Sequence, residues 1–152
     1  MSATKRYSIE FARREQLSDV LGLIDQFERD VTARPCDHVL DQIYDQLTSC
    51  GGVVLLAGSD GRSVGTCTVN ICANLSWGGR PYAIIENVIV AADYRQQGVG
   101  KALLEKAIEH SRNAGCYKVA LMTGSTKEST LRFYENAGFE QSKTGFQIRF
   151  NA

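Results

Sequence analysis

The chain has 152 residues, 43% hydrophobic and 22% charged, and its formal net charge is zero. That is enough for one domain over residues 1–152 with a proper core, in the ordinary composition of a globular protein. The balanced charge argues against a nucleic-acid binder, which carries a basic excess, and no apolar run approaches the ~18 residues of a membrane span.

Residues Met1 to Arg6 have no apolar stretch behind them, so no secretory signal is expected and the expected compartment is the cytoplasm. Tyr7 to Ala12 alternates as a first strand, and from Gln16 the positions Leu17, Val20, Leu21, Ile24 and Phe27 follow helical spacing to an end near Asp30. Pro35 breaks the linker that follows, and Asp37 opens a second helix with its stripe at Leu40, Ile43, Tyr44 and Leu47, ended by Gly51-Gly52. Val53–Ala57 and Val64–Leu75 read as strands around an Asp60-Gly61 hairpin turn. A loop from Ser76 to Pro81 leads into a buried strand at 84–90, then a helix, a strand at 117–122 and a helix from Glu128 to Ala137. Two short strands, 139–143 and 146–150, close the chain. The predicted order is βααβββαβαββ: an α+β fold with a mixed sheet flanked by helices.

Five cysteines with no CxxC spacing read as reduced thiols, and His38 and His110 stand apart from them, so no metal site is expected. Cys116 opens a predicted strand and is read as packing rather than as a nucleophile. Residues 15–50 carry eight acidic side chains against two arginines, an asymmetry that suits a cationic ligand there and an anionic one elsewhere; solvated helix faces explain it equally well.

The chemistry concentrates in Ile84 to Leu104. Apolar residues through Val90 give way to Arg95-Gln96-Gln97-Gly98-Val99-Gly100-Lys101, and then to a helix with Val99, Leu103 and Ala107 on one stripe. A strand, a glycine turn and a helix N-terminus make a phosphate site, because the first helical N–H groups are unpaired and the dipole favours an anion. A P-loop is excluded: Arg95 occupies the position of its first glycine and Ala102 follows Gly100-Lys101. The dinucleotide fingerprint lacks its third glycine, where Leu103 stands. Arg-x-x-Gly-x-Gly after a strand, followed one helix, one strand and a loop later by Phe133-Tyr-Glu-Asn-Ala-Gly-Phe139, resembles the GCN5-related N-acetyltransferase (GNAT) family. The close resemblance covers residues 83–140; the first eighty residues match in layout alone.

The resemblance implies acetyl-CoA as acetyl donor and a ternary complex in which a primary amine attacks directly. Strands 84–90 and 117–122 would run parallel and splay, with the pantetheine arm paired to the backbone of Val88, Ile89 and Val90. The pyrophosphate would rest on the N–H groups of Arg95, Gln96, Gln97, Gly98, Val99, Gly100 and Lys101. Ser129, Thr130, Arg132 and Phe133 would face the cofactor, and Lys127 stands where many relatives carry Asn. Glu86, expected to be partly buried, is the candidate base; Tyr134 is the candidate acid that protonates the departing thiolate. Substrate contacts are expected from Glu28, Arg34, Trp77, Arg80 and Asn87. Gly115-Cys-Tyr-Lys118 and Ile85-Glu-Asn87 are similar to glucosamine-phosphate acetyltransferases. The expected partners are a small-molecule amine and a second copy of the chain, as a homodimer. A protein or peptide acetyltransferase, or a non-catalytic coenzyme A sensor, are the rival readings.

Overall fold

The computed structural model describes residues 6–27 and 33–150. The chain divides into two compact units, residues 1–121 and 122–152. The first contains β1 (Ser8–Phe11), α1 (Leu17–Ile24), α2 (Asp37–Ser49), β2 (Val53–Ser59), β3 (Arg62–Cys72), β4 (Tyr82–Val90), α3 (Val99–Asn113) and β5 (Val119–Leu121). The second contains α4 (Glu128–Asn136).

The sheet order is β1-β2-β3-β4-β5, antiparallel from β1 to β4 and parallel between β4 and β5. The β2–β3 connection is the expected hairpin: Asp60 and Gly61 both have positive φ, 50° and 74°, which matches the strand twist of a type I′ turn. The core is aliphatic, with Leu55, Val64, Val69, Ile85, Val99, Leu103 and Leu104 all 0–1% exposed. Gly65 lets α3 approach the sheet closely: a Cβ there would stand 3.1 Å from side-chain atoms of both Val99 and Leu103. The N-terminus of α3 is thereby seated against β3, beside the end of β4.

Two expectations are corrected. The first helix stops at Ile24 rather than near Asp30. Gln26 and Phe27 donate to Leu23 and Ile24, i→i−3 bonds that tighten the chain into a turn and leave Phe27 about half exposed; residues 28–32 lie outside the described ones. The closing strands at 139–143 and 146–150 do not form. Ser142 N–H instead turns back to Glu140 O at 3.0 Å, within the would-be first strand. Alternation suits a strand, but only pairing along an edge makes one.

Candidate functional site

β4 is interrupted at its middle. Thr68 pairs with Glu86 and Thr66 with Ile89, so Asn87 and Val88 together oppose the single residue Cys67. This is a β-bulge, and its first residue, Asn87, has φ +54°, a conformation Asn tolerates better than most side chains. Pairing with β5 ends at Ile85–Leu121, while β4 runs on to Val90. Among the described residues no strand continues the ladder on that side. The edge from Glu86 to Val90 therefore presents backbone groups to an added extended chain.

Beyond Val90, Ala91 donates to Val64 O at 2.8 Å and a 3-10 turn at Ala92–Tyr94 buries Tyr94. Gln96 and Gly98 then adopt left-handed φ, 59° and 85°, and α3 starts at Val99. Left-handed residues alternating along a turn gather N–H groups into a concavity for an anion. Gly98 has no side chain to cap the helix, so the first-turn N–H groups keep no side-chain partner. A Cβ on Gly98 would also come within 3.2 Å of the Tyr7 hydroxyl.

The side chains of this turn face other groups of the chain. Gln97 Nε2 donates to Asp93 O at 2.8 Å, and Arg95 Nε donates to Val90 O at 3.2 Å. The Arg95 guanidinium lies over the Phe27 ring, 4.7 Å from its centroid. Exposed Lys101 pairs with Glu105 at 3.8 Å. Val99 and Gly100 are buried, and Val88, Ile89 and Val90 are half-buried.

Glu86 is exposed, which corrects the expectation of partial burial. Its side chain lies on the face opposite to buried Ala83 and Ile85, as the pleat requires just ahead of the bulge.

In the second unit, the segment FYENAGF forms a complete Schellman cap. Phe139 N–H donates to Tyr134 O at 3.1 Å and Gly138 N–H to Glu135 O at 2.9 Å, with Gly138 at φ +100°. The apolar contact that accompanies such a cap is the edge of Phe139 on Tyr134, centroids 6.3 Å apart; Phe133 stands 5.0 Å from Tyr134 on the helix. Arg132 pairs with Glu128 one turn back, and Thr130 accepts from Ser125 Oγ at 3.2 Å. Ser129 is exposed, and Lys127 stands at the N-cap without a side-chain cap bond.

The substrate candidates are scattered. Arg34 is fastened to Asp25, Nε and Nη2 lying 2.8 and 2.5 Å from one carboxylate oxygen. Trp77, 68% exposed and at φ +53°, stacks on Tyr117 with centroids 5.1 Å apart. Arg80 donates to Gly115 O at 3.2 Å and Cys116 O at 3.0 Å, covering the carbonyls at the end of α3. Both adjoin the N-terminal ends of β4 and β5. The nine-residue β4 separates them from the glycine turn by about 26 Å at ~3.3 Å per residue. Glu28 falls outside the described residues.

Burial pushes the Cys67 thiol up to about 12, and burial followed by Cys72 raises Cys116. Both directions disfavour a thiolate nucleophile. Among the described residues no group of His, Cys, Asp and Glu could hold a metal ion, and no helix is long and apolar enough to cross a membrane. Sequence reasoning missed the bulge, whose signal was a lone Asn inside an apolar run, and it missed Tyr7 and Phe27 beside the turn.

Over residues 18–139 the sequence matches the acetyltransferase (GNAT) family. It is 44% identical over 79 residues to glucosamine 6-phosphate N-acetyltransferase of Trypanosoma brucei brucei, covering 52% of each chain. It is 40% identical over 73 residues to streptothricin acetyltransferase A of Bacillus subtilis, covering 48% of this chain and 41% of that one. The chain thus matches about half or less of the length of these curated relatives. Among solved structures, an acetyltransferase of Trypanosoma brucei superposes with a TM-score of 0.82 at 30% identity, over 95% of this chain and 100% of that one.

Proposed function

Because the chain belongs to the GNAT acetyltransferase family, whose acetyl donor is acetyl-CoA, we propose that it transfers an acetyl group to a primary amine of a small molecule. The observation that carries the proposal is the edge of β4 left without a strand partner beyond Ile85, followed after one 3-10 turn by an uncapped glycine turn. The edge suits the pantetheine amides, and the turn suits the pyrophosphate, held by N–H groups from Arg95 to Lys101.

In this reading the amine nitrogen attacks the thioester carbonyl. The oxyanion accepts a hydrogen bond from the Val88 N–H, at the bulge. Glu86 takes the amine proton; being exposed, it passes that proton on to water. As the C–N bond stays and the C–S bond breaks, Tyr134 donates its hydroxyl proton to the thiolate and regains one from water, and the products are an amide and coenzyme A. The small acceptor is supported by the relatives' acceptors, an amino-sugar phosphate and streptothricin. Arg34, Trp77 and Asn87 are kept as acceptor contacts in this reading; Arg80, bonded to the carbonyls of Gly115 and Cys116 just past α3, is read as a brace. The free thiols suit a reducing compartment such as the cytoplasm. A homodimer is proposed with them, and light scattering tests it.

The deciding experiment measures thiol release from acetyl-CoA against amino sugars and their phosphates, polyamines, amino acids, aminophosphonates and peptides. Release with a small amine is expected. Release with peptides alone would favour a protein acetyltransferase, and none with any acceptor despite acetyl-CoA binding would favour a sensor.

A further inference from the structure

Arg95 has the geometry of a latch. Its Nε donates to the carbonyl of Val90, the last residue of β4, at 3.2 Å, and its guanidinium covers the Phe27 ring at 4.7 Å. That distance is well inside the ~6 Å over which a cation is held by a ring face. Phe27 sits in the turn that ends α1, with 45% of its surface exposed. One arginine thus ties three segments: the close of α1, the end of the open β4 edge, and the start of the anion turn.

The turn needs such ties. Gln96 holds a left-handed φ of 59° without being glycine, a conformation that persists only where its surroundings enforce it. Its two neighbours supply the enforcement, Arg95 through Val90 O and Gln97 through Asp93 O. The Arg95 guanidinium is engaged by a ring and a carbonyl. We propose that Phe27 is a positioning residue for acetyl-CoA: it keeps Arg95 latched to Val90, and the latch keeps the turn in its anion-binding shape. The inference rests on the acetyl-CoA reading of that turn.

Calorimetry with acetyl-CoA on wild type, Phe27→Leu, Phe27→Tyr, Arg95→Gln and the Phe27→Leu/Arg95→Gln pair tests it, with thermal melting to confirm folding. Phe27→Leu should weaken binding about two- to fivefold, the effect of losing a cation held over an exposed ring, with turnover at saturating acetyl-CoA unchanged. Phe27→Tyr keeps the ring and should bind as wild type. In the Arg95→Gln background Phe27→Leu should add nothing, because the partner is already gone. The salt dependence of binding should be the same in wild type and Arg95→Gln. Additive losses, or a shallower salt dependence in Arg95→Gln, would overturn the latch and make Arg95 a phosphate-pairing side chain. Wild type that fails to bind acetyl-CoA would overturn the functional reading and this inference with it.

Discussion

The two ends of β4 are both flanked by glycine-bearing loops with left-handed residues, yet they dispose of their polar groups in opposite ways. At the N-terminal end, Asn74 Nδ2 donates to Ser76 O and Arg80 O, Arg80 covers the carbonyls of Gly115 and Cys116, and Trp77 lies flat on Tyr117. At the C-terminal end, β4 outruns β5, and α3 begins without a side-chain cap. The first loop is closed on itself and braces the scaffold. The second keeps the first-turn N–H groups of α3 without a side-chain partner, and the proposed cofactor would find its hydrogen-bond donors there. Glycine content does not separate a brace from a site; the disposition of the polar groups does.

The largest effect is expected at the acid of the proposed reaction. Tyr134→Phe removes one oxygen and keeps the ring that packs on Phe139. Steady-state turnover should fall about 100- to 10,000-fold with the KM for acetyl-CoA little changed. Near-normal turnover would leave the residue as the helix cap alone.

Glu86→Gln should lower turnover about 100-fold at pH 7, with the deficit shrinking as pH rises past the pKa of the free amine, where more of the amine is already neutral. A loss equal at every pH would make Glu86 an orienting group.

Gly98→Val combines a left-handed φ with a side chain aimed at the Tyr7 hydroxyl. Acetyl-CoA affinity by calorimetry should weaken about 10- to 100-fold in protein that still folds, the equivalent of ~1–3 kcal/mol of backbone strain. Unchanged affinity would remove the turn from the site.

The smallest catalytic effect belongs to the closed end. Arg80→Ala uncovers the carbonyls at the end of α3 and should cost about 1–3 kcal/mol in thermal or denaturant unfolding, while KM and turnover stay within about twofold. A specific rise in the acceptor KM would return Arg80 to the substrate site and break the contrast.

Several features were legible because they are local. The Asp60-Gly61 turn, the Gly98 entry into α3 and the Gly138 close of α4 each depend on residues within a few positions of one another. Backbone φ preferences and helix-end hydrogen bonds act over that range. Apolar periodicity likewise marked the five strands and four helices of the described residues. Phe27 kept the helical spacing but not the helix: its N–H closes a turn on Ile24 O, and its ring meets Arg95, far along the chain. Glu86 looked partly buried beside aliphatic neighbours, but the pleat sends alternate side chains to opposite faces.

By itself the sequence determined the α+β class, the glycine turn between strand and helix, and the family. Only the tertiary structure decided that Asn87 forms a bulge, that β4 outruns β5, that Arg95 faces Phe27, that Arg80 bonds the carbonyls of Gly115 and Cys116, and that residues 139–150 form no strand. Backbone conformation at a turn is set by steric contacts among neighbouring residues, and these are written in consecutive letters. Strand register and the partner of a long charged side chain are set by groups brought together from distant positions, and no short-range pattern in the chain encodes that meeting.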